Sequence, residues 1–234
     1  MRLMMTSNRL NLIACALVLL TIQACSNPEP SWKEPISVTL DPPTNSIRYV
    51  DSMYFPQGVI CGSAMTYWVY DCQPQFRLKE LKRSQGEFNL EVTAVDIHLG
   101  LTVTTWYPFL VQDRLRKHEE AHYKMSVLLY NDAAQTAARD CAKDLMGQEV
   151  TVTGSELQPC KEKAELELTR TLNAAYREKM SDKADQQAQI FDRITNHGLN
   201  DVPNEEGIKR AFEEYRIHPP PPKNPHEDDK TDND

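Results

Sequence analysis

Between Phe88 and Trp106 the chain alternates strictly, with Val95, Ile97, Leu99, Leu101 and Val103 set against Ala94, Asp96, His98, Gly100 and Thr102. That period of two predicts a strand with one buried face. Gly100 within it predicts a bulge or a close backbone approach, and His98 falls on the polar face. Ile36 to Leu40, Ser46 to Tyr54 and Ser63 to Tyr70 are rich in β-branched and aromatic residues and read as further strands. The pattern then changes. Leu115, His118, His122, Met125 and Leu129 recur at spacings of three and four, which predicts a helix from Pro108, suited to a first turn, to about Met146, where Gly147 ends it. A short strand, Glu149 to Thr153, separates it from a second long helix over about Lys161 to Asn196. The inward stripe of that helix is Leu168, Leu172, Tyr176, Met180, Ala184, Gln187, Phe191 and Ile194, and Gly198 supplies its stop. Glu205 to Tyr215 reads as one more short helix. The class predicted is α+β, a small and mostly antiparallel sheet packed on two long helices.

The ends of the chain read differently. Arg2 and Arg9 precede an apolar run, Leu12 to Ile22, that is too short to span a bilayer and has the form of a signal peptide over residues 1–24. Ile22-Gln23-Ala24-Cys25 resembles the lipobox of bacterial lipoproteins, which implies cleavage before Cys25 and its lipidation, with palmitate among the acyl groups; an ordinary secretory cut near Ala24 is the alternative. Ser26, where an Asp would favour retention at the inner membrane, points by the same resemblance to the outer membrane, facing the periplasm. Residues 25–45 then form a proline-studded tether, 46–217 the folded domain, and 218–234 a Pro-rich acidic tail that composition marks as disordered.

Net charge is −8 although the first 24 residues carry two arginines and no acid, so the remainder is more acidic still and a poor partner for nucleic acid. Of six cysteines, Cys15 leaves with the signal and Cys25 takes the lipid. The remaining four fit an exported, oxidised protein, and the sequence-local pairing Cys61–Cys72 with Cys141–Cys160 is expected among three connectivities.

Candidate chemistry lies on the first long helix. His118-Glu119-Glu120-Ala121-His122 is an H-E-x-x-H set: two imidazoles one turn apart on one face can grip one Zn²⁺, and the carboxylate after the first can reach a metal-activated water. Glu119 is the general base, whereas Glu120 points about 100° further round the helix and reads as a solvated charge. Met125 and Leu128 exclude the metzincin continuation, and Glu165, Glu167 and Glu178 on the second helix offer no distinguished third ligand. His197, in Phe191-Asp192-Arg193-Ile194-Thr195-Asn196-His197-Gly198, is the better candidate for it. Asp192 could orient an imidazole or serve as the ligand instead. Tyr107 and Tyr123 are candidates for steadying an oxyanion, and the strand near Val95 to Val103 for holding substrate backbone by strand addition.

H-E-E-A-H on a long helix, a downstream F-D-x-x-T-x-H-G and an upstream T-V-T-T-W-Y-P resemble a bacterial envelope family of unknown function described as predicted secreted zinc-dependent proteases. The resemblance covers roughly Ser63 to Gly198. It implies a zincin-like fold, His118 and His122 as ligands, Glu119 as acid and base, and His197 as third ligand. The function expected is a lipid-anchored periplasmic zinc peptidase acting on a peptide or protein of the cell envelope. The alternatives are a non-catalytic envelope lipoprotein that uses the same scaffold for partner binding, and a zinc amidase acting on peptidoglycan.

Overall fold

A computed structural model describes residues 34–50, 64–84 and 86–219. The expected signal peptide, Cys25, the tether up to position 33, Cys61, the end of the second predicted strand and the acidic tail beyond Pro219 lie outside the described residues. The order of elements is β1 (Ile36–Leu40), β2 (Thr44–Val50), β3 (Met65–Ser84), β4 (Glu87–Pro108), α1 (Asp113–Lys143), β5 (Glu149–Thr153), α2 (Leu157–Thr195) and α3 (Asn204–Ile217). Among the described residues no helix is long and apolar enough to cross a membrane.

β4 is the axis of a five-stranded sheet. Its alternation holds as read: Val95, Ile97, Leu99, Leu101 and Val103 are all buried against the helices. β3 pairs antiparallel along nearly the whole length of one side. On the other side lie β5, antiparallel at Glu87–Glu91, then β1 and β2, both parallel to β4 at 95–99 and 102–108. The expected small, mostly antiparallel sheet on two long helices is therefore corrected to a mixed sheet with two parallel pairings and three helices. The reason lies between β1 and β2. Pro42 and Pro43 supply no backbone donors and have fixed φ, so the chain does not turn back into a hairpin but continues in the same direction along β4. Asp41 N donates to the Leu99 carbonyl across this junction at 2.9 Å, and the Tyr130 hydroxyl reaches the carbonyls of both Asp41 and Leu99.

Three local expectations also change. Gly100 pairs squarely with Asp71, and the irregularities of the β3–β4 ribbon fall at Arg77/Leu78 and Glu80/Lys82 instead. Pro108 closes β4 rather than opening α1, which starts at Asp113. β4 is also flanked on both sides at Val95 to Val103, so it has no free edge there to receive a substrate strand.

The helices cover one face of the sheet. α1 and α2 run antiparallel, and the predicted α2 stripe from Leu168 to Phe191 is buried while Ile194 is half-buried. Cys141 on α1 bonds Lys179, which lies nineteen residues and about 28 Å of helix rise along α2 from Cys160. A disulfide needs Cα atoms within about 7 Å. The expected Cys141–Cys160 bridge is thus not formed; Cys72, Cys141 and Cys160 are free, buried thiols, and Cys72 has no described partner for the pairing expected with Cys61.

Candidate metal centre

The antiparallel packing of α1 and α2 brings the first turns of one helix against the last turn of the other. From α1, His118 and His122 project one turn apart and are buried, as their place in the apolar stripe requires. From α2 comes Asp192. Its Oδ1 lies 3.0 Å from the Nε2 atoms of both His118 and His122, and the two Nε2 atoms lie 3.2 Å from each other. These atoms make a nearly equilateral triangle. A tetrahedral ion with bonds of about 2.0–2.1 Å separates its donors by roughly 3.3 Å, so the triangle has the size of one face of such a coordination shell. His118, His122 and Asp192 form a candidate metal-binding triad, the one found among the described residues.

Packing fixes the donors. The Phe191 ring stacks on His118 at 5.1 Å between centroids and meets His122 edge-on at 5.2 Å, while Trp68 of β3 stacks on His122 at 6.3 Å. Both Nδ1 atoms are buried without a hydrogen-bond partner, so ring contacts, together with the Nε2 contacts to Asp192, orient these imidazoles. His122 also borders a cavity of about 10 Å³ shared with Ser126 and Gln187, the volume of a single water. Burial alone would raise the Asp192 carboxyl, but hydrogen bonds from the two imidazoles and their charge outweigh it and hold the group well below the usual carboxylate range. Asp192 is therefore an anion, as a ligand must be.

His197 is not in this cluster. Asn196 and His197 have φ of 48° and 50°, which turns the chain out of the helix just before it. The imidazole is largely exposed, with Nδ1 3.9 Å from Asp192 Oδ1. Asp192, still helical, occupies the third position. Gly198 follows with φ of 75° and lies against the His118 ring. α3 completes the support: Asn204 Nδ2 donates to the Lys117 carbonyl at 2.7 Å, and Gly207 packs on Phe191 and Thr195 so closely that a Cβ would come within 2.9 Å of the ring.

The carboxylates of the motif separate as expected. Glu119 is buried and Glu120 exposed. Glu119 Oε2 accepts a hydrogen bond of 2.6 Å from Thr66 Oγ1, which also contacts Thr105 Oγ1 at 3.3 Å. Thr66 and Trp68, on one face of β3, are the site residues that the sequence reading missed. Their strand was predicted, but its alternation carries no signal that it lies beside the helix. The Tyr107 hydroxyl donates to the Arg116 carbonyl at 3.3 Å, with its phenol pushed up to about 12 by burial and by Glu119 and Glu120. Tyr123 packs against the main core. Neither tyrosine faces the triad as an oxyanion donor would. His98, half-buried on the opposite face of the sheet, lies 3.7 Å from Asp96.

Comparison of the chain with protein-family models, with curated proteins and with solved structures found no match to any of the three.

Proposed function

We propose that this chain is a zinc-dependent peptidase held on the bacterial envelope by a lipid at Cys25. The observation that carries the reading is the triangle of His118, His122 and Asp192 donors with Glu119 one residue along the same helix. Two imidazoles and a carboxylate leave a tetrahedral ion one open position, the pattern of catalytic rather than structural zinc. Zinc, when bound, polarises a carbonyl and lowers the pKa of a water.

The residues of the chain then divide the work. His118, His122 and Asp192 would hold the ion. Glu119 takes a proton from the attacking water and returns it to the leaving amine. Thr66, by donating to the Glu119 carboxylate, sets its direction. A purely structural site has no use for such a base, which favours a catalyst over a scaffold. The resemblance of the two histidine motifs to the envelope protease family supports the same reading.

Elemental analysis tests it. One zinc per chain is expected in the wild type, lost in His118→Ala and Asp192→Ala and kept in His197→Ala, while Glu119→Gln keeps the metal and cleaves no peptide. A folded wild-type protein that takes up no zinc when supplied with it rejects the reading. The anchor is tested apart, because Cys25→Ser should move the protein from the membrane to the soluble fraction.

A further inference from the structure

Among the side chains that α2 buries, Gln187 is the one amide, 3% exposed and one turn before Phe191. A methionine would fill the same space with no polar group to satisfy, and a buried amide persists where it has hydrogen bonds to make. We propose that Gln187 is a positioning residue for the metal. Through one water held in the cavity of about 10 Å³ that it shares with His122 and Ser126, it fixes His122 with a proton on Nδ1 and the Nε2 lone pair toward the ion. The inference rests on the zinc reading above.

His122 has one polar ring atom outside the triangle. Its Nε2 meets Asp192 Oδ1 at 3.0 Å, whereas Nδ1 is buried and no protein group reaches it. A metal-ligating imidazole almost always donates through its second nitrogen to a carboxylate, a carbonyl or a water, which selects the tautomer and holds the ring. Contacts with Trp68 and Phe191 set the plane of this ring but do not choose between its tautomers.

The cavity supplies the complement. It has the volume of a single water. The Ser126 hydroxyl gives its proton to the His122 carbonyl at 3.0 Å and keeps lone pairs with which to accept. Gln187 offers an amide oxygen, and His122, with Nε2 turned to the metal, offers an N–H. One donor and two acceptors match a water, which accepts from Nδ1 and donates to Ser126 and Gln187. Gln187 stands five residues before Asp192 on α2 and Ser126 four after His122 on α1, so the bridge joins the two helices that carry the metal donors.

Zinc affinity and metal-free stability, measured on the full chain, separate this role from packing. Competition with a chelator at fixed pH should show Gln187→Met holding zinc ~10-fold to 100-fold more weakly than the wild type, while its metal-free form melts within about 3 °C of it. Ser126→Ala, a change that helices favour, should weaken zinc in the same direction. Gln189→Met, the same exchange at an exposed position of α2, should leave it unchanged. Wild-type affinity in Gln187→Met overturns the positioning role alone, as does a metal-free form destabilised well beyond that margin, which would make Gln187 a packing residue. If Gln187→Met does not fold, wild-type affinity in Ser126→Ala overturns it instead. A folded wild type that takes up no zinc overturns the zinc reading, and the role of Gln187 falls with it.

Discussion

Gly198 lies against His118 so closely that a Cβ built on it would come within 3.0 Å of the histidine's own Cβ and 3.3 Å of its Nδ1. Its φ of 75° is also one that side chains resist. Gly198→Ala should therefore cost about 1–2 kcal/mol from the backbone, and in addition displace an imidazole and weaken metal binding. Gly86→Ala is the control, with φ of 83° and nothing within 4 Å. Thermal denaturation with and without zinc should show that Gly86→Ala loses stability equally in both, whereas Gly198→Ala loses more with the metal present.

Thr66 donates to the carboxylate of Glu119 from a strand that no motif marks. Thr66→Val keeps the shape and removes the donor. A hydrogen bond to a charged group contributes about 1.5–3 kcal/mol, so kcat/KM should fall roughly 10-fold to 100-fold with zinc content unchanged. Equal kcat/KM in wild type and variant would show that Glu119 needs no such guide.

The thiols offer a check on the fold itself. Cys72, Cys141 and Cys160 are buried, and burial pushes the Cys72 thiol up to about 12. An alkylating reagent at neutral pH should leave Cys141 and Cys160 unlabelled in the native protein and label both after denaturation without reductant. A peptide map joining these two would contradict the helix packing described above.

Several tyrosines make the fold sensitive to alkali. Burial pushes Tyr107 and Tyr130 up to about 12, and raises Tyr70 and Tyr176 further. A raised phenol stabilises the folded state fully below its ordinary value of about 10, and that contribution drains away as the pH climbs through the folded value. Unfolding free energy should thus hold up to about pH 10 and fall between about 10 and 12. Tyrosinate absorbance should rise in two stages, exposed residues first and the buried ones with the loss of structure.

What could be read from the sequence was local. His118, Glu119 and His122 declare themselves through the helical repeat, and β4 through its alternation, because each pattern is set by neighbours within a turn or two. The choice between Asp192 and His197 was not legible. Asp192 stands in the last turn of α2 and His197 just past its end, and what separates them is the left-handed backbone at Asn196 and His197, which spacing does not encode. The parallel pairing of β1 and β2 escaped for a related reason: alternation says which face of a strand is buried, never which strand lies beside it. Thr66 and Trp68 reach the centre through that same non-local arrangement. The Cys141–Cys160 pairing failed because nearness in sequence was taken for nearness in space, and the 39-residue α2 carries Cys160 away from Cys141.

Asp192 stands 74 residues beyond His118. A chain that stops before the last turn of α2 carries the entire H-E-x-x-H motif and yet only two donors, too few to keep a metal in competition with solvent. The third arrives only when the two long helices have docked along their length. Capture of a metal by this triad would therefore report that the two long helices have docked, a check on completeness written into the topology.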